Sequence, residues 1–238
     1  MSETTVIKNI SQLLTMDEHT CAEAEESVRP LGLVRDAAVV MEKGCFTWTG
    51  KTADLPGQPE GAEVVDAGGR VAMPGLVECH THLVFGGGRA EEFALRATGV
   101  GYEEIARRGG GILSTVRATR AASKGELQAS ALARLDRFLE MGVTTLEAKS
   151  GYGLETSAEL KMLEVIAKVD EAHAIDLVPT FLGAHVVAPE YRHDRSGYVN
   201  LVCGEMLPEV ASRGLAKFCD VFCDDGAFTV DESRTILE

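Results

Sequence analysis

The sequence is short of several things that would have narrowed its class at once. Basic residues are few: 23 Lys and Arg face 37 Asp and Glu, a formal net charge of −14. Nucleic-acid phosphates and anionic membrane surfaces both require clustered cations, so neither partner is expected. No apolar run is long enough to span a bilayer. The six cysteines, Cys21, Cys45, Cys79, Cys203, Cys219 and Cys223, nowhere form Cys-x-x-Cys. That spacing removes a zinc ribbon and a redox dithiol, and leaves reduced thiols in a cytoplasmic protein as the expectation. The polar start, Met1–Thr5, shows no signal-peptide pattern. Histidine is scarce too, with six among 238 residues.

Two of those six stand one residue apart, in Pro74-Gly75-Leu76-Val77-Glu78-Cys79-His80-Thr81-His82. A Pro-Gly turn signal opens an apolar run of strand length, and a glycine-rich loop, Gly86-Gly87-Gly88, follows it. Side chains alternate along a strand, so His80 and His82 are expected on one face. Two imidazoles at a strand end make half of a metal site.

Before this stretch the patterns are β-like. Thr5–Ile10 reads as a short strand, and residues 17–32 as polar and irregular. Ala37–Met41 and Cys45–Thr49 flank Glu42-Lys43-Gly44 as a hairpin. Pro56–Gly61 reads as a loop and Glu63–Asp66 as another strand. After His82 the chain alternates. Helices are expected over Ala90–Ala97, Ile112–Ala122 and Glu126–Met141, the last amphipathic and closed by Gly142. Arg107–Gly111 reads as a loop between the first two. Val143–Ala148, Leu177–Ala184 and Phe218–Cys223 read as strands. Thr156-Ser157-Ala158-Glu159 and Thr229-Val230-Asp231-Glu232 read as capping boxes opening helices. A further helix is expected over Tyr198–Arg213. Strand and helix alternating from residue 73 predict a parallel sheet with crossover helices, as in a doubly wound sheet or a (β/α)8 barrel.

In a barrel, chemistry collects at the C-terminal strand ends. Those ends carry His80 and His82, then Lys149, Ser150 and Tyr152, then His185, then Asp224 and Asp225. Arg89, seven residues past His82, can reach the same rim. Arg120 lies mid-helix and is expected on a solvated face. Asp224 and Asp225 are expected to be solvated loop charges. Cys219 and Cys223, at i and i+4 of one strand face, are expected in core packing.

These residues carry a resemblance. Val65–Arg70 followed by Pro74–His82 is similar to the entry into an amidohydrolase-superfamily barrel. His80–Arg89, Glu147–Leu154, Phe181–His185 with Pro189–Tyr191, and Gly109–Ile112 with Thr115-Val116 and Thr119-Arg120 resemble the imidazolonepropionase family. The resemblance covers nearly the whole chain, and the Lys-Ser-Gly-Tyr-Gly and Gly-Ala-His segments are its most specific parts. It implies an α/β fold: an amidohydrolase-type (β/α)8 TIM barrel, with about its first four β/α units in this chain, beside a small N-terminal all-β unit. Residues 1–70 are then a composite β-sandwich part, incomplete without C-terminal strands. Residues 71–238 are the first half of a metal-dependent hydrolase barrel.

The resemblance also implies metal-dependent hydrolysis of 4-imidazolone-5-propanoate to N-formimidoyl-L-glutamate, a step of histidine degradation. His80 and His82 match metal ligands for one divalent ion, zinc or iron. Arg89, Tyr152 and His185 match substrate-binding positions. Arg89 offers a fork for the propanoate, Tyr152 a hydroxyl, and His185 a bond to the ring or to the developing oxyanion. The family's remaining ligands and its acid–base residues match nothing before Glu238, so this chain by itself is expected to be inactive. A homodimer is the implied assembly. The alternatives are another amidohydrolase, acting on a different cyclic amide or as a deaminase, and a non-catalytic truncated paralogue serving as a binding module.

Overall fold

A computed structural model describes residues 4–17, 19, 31–57, 59–101, 104 and 110–238. Most of the stretch 17–32, and Arg107 to Gly109, lie outside the described residues. The chain divides into two compact units, Met1–Gly75 and Leu76–Glu238.

The first unit is a five-stranded sheet in the order β3-β2-β1-β4, with β5 also paired to β1. Its strands are β1 (Thr4–Leu14), β2 (Leu33–Glu42), β3 (Cys45–Lys51), β4 (Glu63–Asp66) and β5 (Val71–Ala72). The hairpin expected at Lys43-Gly44 is there, with φ of 51° and 81° at the two turn residues. Both central residues are left-handed, which matches the twist of the flanking strands. β1 runs past the expected Ile10, because Asn9 breaks its register at φ 58° and the chain then resumes pairing. Beyond that kink β1 pairs with β5, a two-residue strand between Gly69 and Pro74 that is too short to show a period. Ile10, Leu13, Val34, Ala37 and Val39 form this unit's core.

The second unit is a four-stranded parallel sheet, β6-β7-β8-β9. The strands are β6 (Leu76–Thr81), β7 (Val143–Lys149), β8 (Asp176–Ala184) and β9 (Phe218–Val221). Helices α1 (Ala90–Ala97), α2 (Ile112–Ala121) and α3 (Lys124–Glu140) lie between β6 and β7. Helix α4 (Thr156–Ala172) joins β7 to β8, α5 (Arg195–Leu201) and α6 (Leu207–Ser212) join β8 to β9, and α7 (Val230–Leu237) follows. The apolar face expected on α3 is buried through Leu127, Ala131 and Leu135, and α4 buries Met162, Leu163 and Ile166 as well. Each leucine, isoleucine or methionine among them contributes roughly 1.5–3 kcal/mol when fully withdrawn from water. Among the described residues no helix is long and apolar enough to cross a membrane.

Four local expectations are corrected. The helix expected over Tyr198–Arg213 is interrupted by a π-turn, Val202–Met206. Pro208 lacks the N–H that an unbroken α-helix would use there, and the wider turn absorbs the loss. β9 stops at Val221, so Cys223 is off the strand and exposed while Cys219 packs against the core. Ser123, not Glu126, begins α3, as the cap of a complete capping box with Glu126. The box expected at Thr156–Glu159 does not form: Glu155 takes the cap position without a side-chain bond. Glu159 is instead buried beneath the loop after β7. The box at Thr229 and Glu232 forms as expected.

Lys161, on α4, closes the C-terminus of α2. Its Nζ donates to the carbonyls of Thr119, Arg120 and Ala122 at 3.0, 2.9 and 2.8 Å. An ammonium suits these orphan carbonyls, which carry the negative end of the helix dipole. Lys161→Met keeps the aliphatic stem and removes the charge. It is expected to cost about 1.5–3 kcal/mol, the scale of a charged hydrogen bond. Urea unfolding measures this, and an unchanged midpoint would remove Lys161 from the account.

Candidate active site

Three parallel strands deliver four rings to one place. His82, one residue past the end of β6, is the hub. Its ring centroid lies 4.6 Å from Tyr152, 4.7 Å from His185 and 6.3 Å from His80. His185 stacks on it at an interplanar angle of 12°. Phe222 closes the far side of His185, centroid to centroid 6.0 Å. Arg89, capping α1, reaches in from the loop after β6 and its Nη2 stands 3.5 Å from the Tyr152 hydroxyl. The structure thus brings together His80, His82, Arg89, Tyr152 and His185. Asp224 and Asp225 are exposed, as expected of solvated loop charges.

The loop carrying Arg89 is set from below. Leu83 and Val84 are fully buried. Arg134 of α3 donates to the Leu83 and Phe85 carbonyls and lies 3.7 Å over the Phe85 ring. The Gly86 amide donates to Thr119 Oγ1 at 3.0 Å.

Burial sets the protonation of the rings. His82 is held down to about 3, first by desolvation and then by His185 and His80 beside it. Its Nδ1 is buried and has no hydrogen-bond partner among the described residues. His185 is also lowered by burial. Its Nδ1 lies 2.9 Å from the Gly151 carbonyl, which can only accept. A neutral His185 therefore carries its proton on Nδ1 and presents a lone pair at Nε2. In that state it accepts from a ligand N–H and cannot donate to an oxyanion, so of the two roles expected for His185 the geometry favours the first. Burial raises Tyr152, against the pull of Arg89, and keeps its phenol protonated as a donor.

Below the rings a charged belt ties the strands together. Lys149 Nζ bonds Glu147 at 2.7 Å and Asp220 at 2.9 Å, and Thr180 donates to Glu147 at 2.7 Å. Burial opposes the charge on Lys149, but the two carboxylates prevail and raise it above its usual range. Asp220 is likewise penalised by burial, and its bond to Lys149 brings it below the usual carboxylate range.

Arg120 is a correction. It does not face solvent but grips the Tyr152 loop, donating to the Gly153 carbonyl at 2.7 Å and the Leu154 carbonyl at 3.3 Å. Glu190 orients it through Nη1 at 2.6 Å. Arg120 and Glu190 stand in stretches already singled out, but only the fold shows that a helix of one crossover meets the turn of another.

Among the described residues no three His, Cys, Asp or Glu side chains cluster as a metal site. The chain supplies two adjacent imidazoles, and the neutral, orphaned His82 is of the kind a cation requires. The donor set fits a divalent ion as far as it goes, one donor short of the three protein ligands usual at a catalytic zinc.

No family model matches the chain. It is 51% identical over 209 residues to an imidazolonepropionase of Cupriavidus necator, covering 88% of this chain and 50% of that protein. It is 47% identical over 233 residues to an imidazolonepropionase of Bacillus cereus, covering 98% of this chain and 55% of that protein. The chain thus spans about half the length of the curated relatives it matches. Among solved structures it resembles atrazine chlorohydrolase TrzN from Arthrobacter aurescens, complexed with zinc and atraton. The TM-score is 0.58 at 14% identity, over 98% of this chain and 49% of that one. That likeness establishes an α/β fold.

With metal removed by chelation, stability is expected to fall on acidification. The folded value of His82 lies below the unfolded 6.5, so the unfolded chain binds the proton more readily between the two. The stability is complete above about pH 6.5 and is lost as pH falls toward 3. Between pH 7 and pH 5 the loss is about 1–2 kcal/mol. His82→Asn should flatten that slope in urea unfolding at the two pH values, and an equally steep slope in the variant would rule His82 out as its source.

Proposed function

We propose that this chain forms part of an imidazolonepropionase, corresponding to the N-terminal part of the relatives it matches, and that its rings bind a cyclic amide for hydrolytic opening. One observation carries the reading. His82, Tyr152 and His185, from loops far apart in sequence, stand in contact, and the Arg89 guanidinium reaches the Tyr152 hydroxyl beside them. The substrate is 4-imidazolone-5-propanoate and the product N-formimidoyl-L-glutamate, as the names of the relatives and the chemistry of the pocket both support. On this reading the four parallel strands are half of an eight-stranded barrel. Residues 71–238 are its first half and residues 1–70 a β unit that other strands complete.

His80 and His82 would hold one divalent ion, zinc or iron, with further donors from the length of the relatives that this chain does not span. Such an ion, when bound, brings the pKa of a coordinated water down to about 7 and supplies hydroxide at neutral pH. The zinc of TrzN supports a metal in this fold. The chain's own residues do the rest. Arg89 pairs with the propanoate carboxylate, whose planar geometry its guanidinium matches. Tyr152, kept protonated by burial, donates its hydroxyl. His185, fixed by Gly151, accepts a ring N–H at Nε2 and so selects the orientation of the lactam. Stacked rings on His82 exclude water from that face. Free thiols at Cys45, Cys79, Cys203, Cys219 and Cys223 suit a cytoplasmic setting. Family resemblance alone supports a homodimer.

In a full-length protein carrying this chain, Arg89→Ala is expected to lower kcat/KM by about 1.5–3 kcal/mol, the scale of a charge-assisted bond. A wild-type value in that variant would refute the carboxylate contact. His80→Ala is expected to lose metal and turnover together. Full occupancy by elemental analysis in the variant would take His80 out of the metal site.

A further inference from the structure

We infer that Glu159 is a positioning residue for this pocket, setting through the backbone of Gly151 where both Tyr152 and His185 stand. The inference rests on the proposed function for its substrate and on geometry for the linkage.

Glu159 is fully buried in the first turn of α4. Its Oε2 accepts from the Gly151 amide at 2.9 Å. Its Oε1 accepts from the amides of Gly153 and Leu154 at 2.7 and 2.8 Å. Tyr152 lies between two anchored residues, so the backbone that aims its ring is held on both sides. Gly151 is held at its other end too, because its carbonyl meets His185 Nδ1 at 2.9 Å. The loop has no slack to take up a displacement. Gly151 has φ 106°, and a Cβ there would lie 2.8 Å from the Leu182 carbonyl oxygen and 3.1 Å from the His185 Cβ. Arg120 completes the grip by pulling on the Gly153 and Leu154 carbonyls. On the peptide between Gly153 and Leu154, the carboxylate takes the amide and the guanidinium the carbonyl, so that one peptide is oriented from both sides.

A neutral amide cannot replace this carboxylate. Glutamine offers one acceptor oxygen where Glu159 uses two, and its NH2 would face an amide that also donates. A residue that only filled space or stabilised α4 would not need both oxygens turned to the loop.

The test compares wild type with Glu159→Gln in full-length protein, by residue-resolved amide hydrogen exchange and by steady-state kinetics on 4-imidazolone-5-propanoate. Exchange at Gly151, Gly153 and Leu154 is expected to accelerate by at least about tenfold while β7 amides hold within about twofold. KM is expected to rise by at least about tenfold, well beyond any fall in kcat, because ground-state contacts by Tyr152 and His185 are misplaced. Unchanged loop exchange, equal acceleration throughout β7, or an unchanged KM with an opened loop would each overturn the inference. If Glu159→Gln does not fold, Glu159→Asp, which keeps the charge and loses the reach, is read by the same criteria. Absence of turnover in the wild type would overturn the substrate reading instead, and the exchange data would then decide the role of Glu159.

Discussion

Buried backbone amides must find partners, and a turn that leaves a sheet has no ladder to supply them. At the end of β7 this constraint falls on Gly151, Gly153 and Leu154, and the carboxylate of Glu159 meets it. The arrangement costs the burial of an acidic group. Burial raises Glu159 above its usual range, opposed by the Ser150 hydroxyl and the three amides. In return the loop's amides are satisfied, and backbone contacts add to the ring packing that holds Tyr152 and His185.

The rings themselves depend on dryness. His82 and His185 are neutral because water is largely excluded from them, and a protonated pair stacked this closely would repel. Neutrality makes them donors of lone pairs, to a cation or to a ligand N–H. Charge is kept one layer down, in the belt of Glu147, Lys149 and Asp220, where opposite signs compensate one another across β7 and β9. The ring cluster is therefore nearly uncharged, with the Arg89 guanidinium beside Tyr152 as a cation at its edge.

Much of this was legible along the chain. Alternation of strand and helix after residue 73, the apolar face on α3, the Lys43-Gly44 turn and the cap at Thr229 all follow from local patterns, and the structure has them. What misled was local pattern with a non-local partner. Thr156–Glu159 has the spacing of a capping box, yet Glu159 turns to a loop whose amides have no other acceptor. Arg120 sits on a polar stretch of a helix, yet two carbonyls of another crossover and Glu190 lie within its reach. Pro208 is the local signal, present in the sequence, for the interruption of its helix.

The sequence by itself determined the order of strands and helices, and put His80 and His82, Tyr152, and His185 at successive strand ends, because side-chain period and turn chemistry are properties of neighbouring residues. The tertiary structure decided which rings touch, which nitrogen of His185 is free, and which charges serve the loops. Those outcomes depend on burial and on hydrogen bonds between segments tens of residues apart, and neither quantity exists until the chain has folded.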